Sequence, residues 1–133
     1  MFLLPNYYKR LERWSKLRSQ LEDSLTPFDD IIQFYNKAPL CSMAADPYCT
    51  DSWPDPWEQV DENTYCPFTV VLAMYYTLKF TRRFADSQFE IHIGTDKEKT
   101  SYLYYLMVDG QLIGFWDTTE PLTVVSQEVH VMT

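Results

Sequence analysis

Cys66, His92 and Asp117 are the residues whose types and order in this chain could support a reaction. Cys66 stands directly before Pro67 at the start of a long apolar stretch, and the positive end of a helix dipole favours the thiolate form of a cysteine placed there. A cysteine nucleophile also needs a base within about 2.6–3.2 Å, and that base needs a group that orients it. The first question is therefore whether the fold brings a histidine to Cys66.

The N-terminal part of the chain is predicted to form two helices. Apolar residues recur at three- and four-residue intervals across 6–24, and Asn6 suits the N-cap position of this helix. A second helix is predicted to begin after Thr26, because Pro27 fits the first helical position and two aspartates follow in the first turn. Pro39 is expected to end it.

Residues 38–64 are predicted to form an irregular loop, because four prolines interrupt them. Two of these prolines lie between tryptophans in the string Trp-Pro-Asp-Pro-Trp-Glu. The indoles either pin the loop to the core of the domain or form a docking edge for another subunit. The candidate partner-binding residues are Trp14, Trp53, Pro54, Pro56 and Trp57.

A third, central helix is predicted from about Cys66 to Ala85, and its apolar character on nearly all sides is typical of a buried helix. Strands follow, and Asp109-Gly110 is a strong signal for a two-residue hairpin between two of them. The predicted strands are Gln88–Gly94, Ser101–Val108, Gln111–Asp117 and, as an edge strand, Thr123–Val131.

These elements predict one α+β domain over residues 1–133. Its parts are a helical N-terminal part (1–37), the Pro/Trp-rich loop (38–64), and the central helix with an antiparallel meander of three to four strands (65–133). The length fits a single domain with a modest core.

The strand register decides whether the three candidate residues can meet. The hairpin turn sets Tyr102 opposite Asp117. If the longer preceding loop is symmetric about residue 97, His92 also faces Tyr102, and the three residues form a row across one face. His92 and Asp117 would then be roughly 10 Å apart at the backbone. Tyr102, whose pKa is about 10 in the ordinary case, would occupy the place where a base is needed.

Three strings resemble the core of transglutaminase-like (papain-like) cysteine hydrolases: Tyr65-Cys66-Pro67, Tyr102–Gly110 and Ile113–Thr118. In that superfamily a cysteine at a helix start is followed by a strand that opens with histidine and then by a strand that ends in aspartate. Cys66 and Asp117 match those positions, whereas Tyr102 stands at the histidine position. The resemblance implies a degenerate enzyme core, which indicates a fold more than a reaction.

The order of helices, Trp-Pro-x-Pro-Trp-Glu string and strands also resembles small proteins of tailed bacteriophages, including cyanophages. This second resemblance implies a virion or assembly component that is synthesised in the host cytoplasm. The place in the particle (neck, tail, baseplate or capsid) stays open.

Composition argues against several other classes of protein. The formal net charge is −8, with positive charge concentrated in residues 1–20 and negative charge in 21–66, so nucleic acid is not expected as the main ligand. The three cysteines and two histidines lack the spacing of a zinc site, and the acidic residues before Cys66 are expected to form a solvated surface. No metal, cofactor or membrane span is predicted. The role of Cys41 and Cys49 stays open.

The preferred function is a non-catalytic structural or assembly subunit of a tailed-phage virion. It would act in an oligomeric assembly through the Trp53–Trp57 loop and the N-terminal helices. One alternative is a cysteine hydrolase or acyltransferase that uses Cys66 with His92 or His130, and with Asp117. The other is a phage-encoded binder or inhibitor of a host protein.

Overall fold

The structure is a computed structural model, and it describes residues 1–41, 45–47, 49–96, 102–114 and 124–132. The predicted α+β class is confirmed, because the described part contains four α-helices and an antiparallel sheet. The helices are α1 (Tyr7–Asp23), α2 (Pro27–Tyr35), α3 (Pro56–Glu62) and α4 (Pro67–Lys79), and the strands are β1 (Phe89–Asp96), β2 (Tyr102–Val108), β3 (Gln111–Gly114) and β4 (Val124–Met132).

The starts of α1 and α2 lie where the sequence predicts them. The Asn6 side-chain carbonyl accepts hydrogen bonds from the N–H groups of Tyr8 (2.8 Å) and Lys9 (3.3 Å), which satisfies two donors of the first turn. Thr26 precedes α2 as predicted, but its side chain makes no capping hydrogen bond. Its hydroxyl instead donates to Asp30 Oδ1 at 3.1 Å.

The prediction that 38–64 is irregular is wrong for the residues of α3. Asp55 Oδ1 accepts from the Glu58 N–H at 2.8 Å, and Glu58 Oε1 accepts from the Asp55 N–H at 3.3 Å, so the two residues form a capping box. Pro56 occupies the first helical position, where proline favours a helix. The Asp-Pro-x-Glu pattern is therefore a helix-start signal that outweighs the helix-breaking tendency of proline.

The central helix α4 is shorter than predicted, since it ends at Lys79 and not near Ala85. Thr81 stabilises the turn that follows: its hydroxyl donates to Leu78 O at 2.6 Å and accepts from the Phe84 N–H at 3.1 Å. Most residues of α4 are buried, as its apolar sequence predicts. Its early end leaves Phe80 beyond the helix.

The sheet has the strand order β3-β2-β1-β4. Strands β1 to β3 form the predicted meander. Leu106 lies opposite Ile113, which is the pairing that a two-residue turn between β2 and β3 predicts. β4 does not extend the meander, because it pairs with β1 at the other edge of the sheet. The fourth strand was predicted, but its position beside β1 was not.

Helix α4 packs on one face of the sheet and also contacts the three other helices. The rings of Tyr75 and Phe89 are 5.0 Å apart, and those of Phe68 and Tyr104 are 5.8 Å apart. The sheet residues of this shared core are Phe89, Ile91, Leu106, Val108 and Ile113. All of them point to the same side, which we call the helix face of the sheet.

The buried hydroxyl of Thr77 joins three helices. It donates to Ala73 O at 2.7 Å, so the two groups that approach its lone pairs must be donors. These are the Trp14 indole N–H at 2.9 Å and the Tyr35 hydroxyl at 2.8 Å. Burial raises the pKa of Tyr35 to about 12, so its phenol keeps the proton that it donates.

A second link joins the end of α1 to the turn after α4. The Glu22 carboxylate accepts from the N–H groups of Arg82 (3.1 Å) and Arg83 (2.8 Å). The Arg83 guanidinium in turn donates to Leu21 O (3.1 Å) and Ser24 O (2.7 Å) at the C-terminal end of α1. The two backbone hydrogen bonds lower the pKa of Glu22, because they favour its ionised form.

We predict that Thr77→Val destabilises the protein by about 2–5 kcal/mol, because it leaves two buried donors without an acceptor. Thr77→Ser is the matched control, since it keeps the hydroxyl and removes one methyl group, at a cost of about 1 kcal/mol. Urea denaturation followed by tryptophan fluorescence measures both values. Equal losses in the two variants would contradict the role of the hydroxyl.

Glu22→Gln is expected to remove part of the acid sensitivity of folding. A carboxyl whose pKa is lowered in the folded state adds stability above its ordinary pKa, here 4.5, and that stability is lost as the pH falls through the folded value. The urea midpoints of the wild type and the variant should therefore differ at pH 7, and the difference should shrink as the pH falls below 4.5. A constant difference across this range would contradict the linkage.

Candidate functional site

Cys66 occupies the N-cap position of α4, and only 3% of its surface is exposed. Its N–H donates to Thr69 Oγ1 at 2.8 Å, and the Thr69 hydroxyl lies 3.6 Å from the Cys66 sulfur. The thiol also belongs to the main hydrophobic core. A reactive cysteine has to be reached by its substrate, and this burial removes that access.

The expected row of His92, Tyr102 and Asp117 is wrong, because His92 pairs with Tyr105 and Tyr102 pairs with Thr95. The loop between β1 and β2 is therefore not symmetric about residue 97. The true register differs from the expected one by an odd number of residues, and such a shift turns His92 to the other face of the sheet.

The face that carries His92 is the one opposite α4. Ile91 is fully buried on the helix face with Cys66, and neighbouring residues of a strand point to opposite faces. The His92 ring stacks on Tyr105 with the ring centres 5.3 Å apart, and its Nε2 lies 3.1 Å from Glu90 Oε2. The sheet thus separates the His92 imidazole from the Cys66 thiol.

Two more residues, Asp117 and His130, were candidates for the alternative cysteine enzyme. Asp117 lies outside the described residues. His130 belongs to β4, where its backbone pairs with Ile91 of β1. This pairing is the fold-back of the C-terminal segment that the sequence did not predict.

An aromatic groove of about 400 Å³ lies between α1 and two exposed rings, those of Trp57 and Phe80. Trp57 is 50% exposed and Phe80 is 45% exposed, and their ring centres are 5.8 Å apart. Trp14 lies beneath them, 6.5 Å from Trp57 and 6.0 Å from Phe80 in nearly perpendicular ring contacts. On the α1 side the groove is lined by Leu11, Glu12, Ser15 and Arg18.

The five predicted partner-binding residues are not equivalent. Trp14 is 3% exposed, so it can support a contact surface but not form it. Trp53 is held against the core, because its indole N–H donates to Asp46 O at 3.0 Å and its ring lies 5.2 Å from Phe68. Pro54 is half-buried and Pro56 is buried. Trp57 is the member of this set with half of its surface exposed.

Arg10 holds α3, and therefore Trp57, against α1. Its guanidinium is buried and donates to Val60 O (2.8 Å) and Asp61 O (3.0 Å) in the last turn of α3, and to Leu4 O (2.7 Å). A cation at the C-terminal end of a helix satisfies carbonyl groups and complements the helix dipole. The exposed indole consequently stands on a fixed support.

Among the groove residues, the predicted partner-binding set contains Trp14 and Trp57 but misses the others, including Phe80 and Arg18. Phe80 was assigned to the interior of a longer helix, and the exposed position follows from the end of α4 at Lys79. The Arg18 guanidinium lies 4.2 Å from the centre of the Trp14 ring. Burial lowers the pKa of Arg18. The spacing of Arg18 four residues after Trp14 is a signal that could have indicated this contact.

The described residues show no site for a metal ion. In that part of the chain, no group of three or more His, Cys, Asp or Glu residues is arranged to bind one. Cys41 and Cys49 are free thiols at exposed positions. Among the described helices, none is both long enough and apolar enough to cross a membrane.

No family model, curated protein or solved structure matches this chain. From its fold and its candidate site, the protein is described as an α+β domain with an exposed aromatic groove. The resemblances to transglutaminase-like and tailed-phage proteins stay predictions.

We predict that iodoacetamide labels Cys66 at least about 100-fold more slowly than Cys41 or Cys49, because the buried thiol reacts only after a local opening that costs several kcal/mol. Mass spectrometry of peptides from a time course measures the three rates. In denaturant the three thiols should react at similar rates, which serves as the control. Rapid labelling of Cys66 alone, with a depressed pH midpoint, would instead support a cysteine enzyme.

Proposed function

We propose that the protein is a non-catalytic structural or assembly subunit of a tailed-bacteriophage virion and acts through protein–protein contacts. The observation that carries the protein-contact part is the pair of exposed rings in the aromatic groove. The phage context rests on the resemblance of the Trp-Pro-x-Pro-Trp-Glu string and its flanking elements. In this proposal the protein is made in the host cytoplasm and then enters the particle.

The aromatic groove has the chemistry of a contact surface. Tryptophan and phenylalanine are enriched at protein interfaces, and buried tryptophans contribute a large share of binding free energy. Trp57 and Phe80 expose about half of their surfaces side by side, so a partner that covers them removes apolar area from water. Singly exposed apolar residues are common, whereas adjacent exposed rings beside a groove favour binding.

The support beneath the groove favours binding further. Trp14 is fixed by its hydrogen bond to Thr77, and α3 is fixed by its capping box and by Arg10. A surface whose residues are already ordered loses little conformational entropy when a partner binds. The rings of the groove therefore already have their binding conformation before a partner arrives.

A reaction at Cys66 has less support. The thiol is buried, and the sheet lies between it and His92. Nucleophilic catalysis requires an accessible thiol and a base in hydrogen-bond reach, and neither the exposure of Cys66 nor the position of His92 supplies one. The non-catalytic function is therefore preferred over a hydrolase or an acyltransferase.

Mass spectrometry of purified phage particles tests this proposal. We expect the protein in copy numbers that match a structural component, and Trp57→Ala should lower its amount per particle at least about tenfold, because the variant removes an interface anchor. Leu112→Ala is the matched control, since Leu112 is 51% exposed on β3 and lies outside the groove. The Leu112 variant should enter particles at the wild-type level.

Absence of the wild-type protein from particles would overturn the virion assignment and favour a binder of a host protein. Equal incorporation of Trp57→Ala and the wild type would show that another surface makes the contact. Circular dichroism and urea denaturation of both variants confirm that each remains folded, so that a loss of incorporation reports the contact and not unfolding.

A further inference from the structure

We infer that the aromatic groove is the interface between two copies of this chain, related by a two-fold axis that passes beside Ser15. The inference rests on the proposed function, since it names the partner that contacts the groove. It follows from the arrangement of charge, side-chain size and exposed rings along one side of α1.

The groove is self-complementary in charge. Glu12 and Arg18 line it from the same helix, three residues before and three residues after Ser15. At 1.5 Å per residue, each lies about 4.5 Å from Ser15 along the helix axis. When two α1 helices cross antiparallel at Ser15, Glu12 of each copy meets Arg18 of the partner subunit. A two-fold interface requires this reciprocal arrangement.

The Arg18 side chain lines the groove, and no carboxylate of its own helix, which the structure describes throughout, pairs with its guanidinium. Its Nε atom is buried and finds no hydrogen-bond partner within the part of the chain that is described. Glu12 is six residues away, about 9 Å along the helix, which exceeds the spacing at which helix side chains pair. Glu22, four residues after Arg18, accepts hydrogen bonds from the backbone of Arg82 and Arg83. Because the Nε atom itself is covered, a carboxylate from the partner subunit would pair with the outer guanidinium nitrogens of Arg18.

The sizes of the groove residues also suit a second α1 helix. Ser15 is small and exposed at the centre of the site, so two helix backbones can approach closely there. Trp57 and Phe80 form the side of the groove along which the second helix would lie. Their exposed area would be covered in both copies at once, which doubles the apolar area removed from water.

Sedimentation equilibrium of the full chain tests the inference, and we expect a reversible dimer. Glu12→Arg should weaken the dimer at least about tenfold, because it sets two guanidinium groups against each other at both ends of the interface. Arg18→Glu should have the same effect through two opposed carboxylates. Trp57→Ala should weaken the dimer at least about 30-fold, as expected for an interface anchor, while Leu112→Ala should leave it unchanged.

Mixing the two charge variants tests directly whether Glu12 meets Arg18 of the partner subunit. A heterodimer of Glu12→Arg with Arg18→Glu contains two opposite-charge contacts, so mixing should restore association near the wild-type level. The double variant Glu12→Arg/Arg18→Glu should dimerise with itself for the same reason. Circular dichroism of each variant confirms that the helices are intact.

A wild-type protein that stays monomeric up to its solubility limit would overturn the inference, and so would charge variants that mixing does not restore. These results differ from a failure of the proposed function. A monomer that still needs Trp57 to enter particles would place a different virion protein in the groove. If the protein dimerises with the expected charge dependence but is missing from particles, the virion role is overturned and the dimer inference stands.

Discussion

The hydroxyl of Thr77 is the contact on which the arrangement of the helices depends. This hydroxyl accepts hydrogen bonds from Trp14 of α1 and Tyr35 of α2, and its O–H donates to a carbonyl of its own helix α4. It therefore fixes three helices at one buried point. Because water cannot replace it there, each donor would be left without an acceptor if the hydroxyl were absent. The position of Trp14 then sets the base of the aromatic groove, and Trp57 and Phe80 pack on its ring.

The groove is thus a consequence of how the helical layer is assembled. Arg10 holds the end of α3 through backbone carbonyls, and the capping box fixes its start, so seven residues form a stable helix with little core of their own. The charged ends of the groove and the Trp14 ring at its base come from α1, whereas its exposed rings come from α3 and from the residue after α4. Its self-complementarity therefore combines local sequence on one helix with contacts made across the chain.

Several features of the fold could be predicted because they depend on neighbouring residues. Asn6 caps α1 through its own side chain, and Asp109-Gly110 closes the hairpin with the expected register, since Asp109 and Gly110 both adopt positive φ values of 51° and 82°. The register of β1 against β2 could not be predicted, because a long polar loop leaves the offset to side-chain packing. That offset decides which face carries His92, and so whether it can approach Cys66.

The sequence by itself determined the α+β class, the positions of most helix and strand starts, and the candidate status of Cys66 and Trp57. These properties follow from hydrophobic periodicity and from capping and turn residues, whose effects extend over a few positions. The tertiary structure alone decided that the Cys66 thiol is buried, that the sheet separates it from His92, that β4 pairs with β1, and that Phe80 joins Trp57 at the surface. Each of these depends on contacts between residues far apart in the chain, and the free energy of such contacts is not encoded in any local pattern.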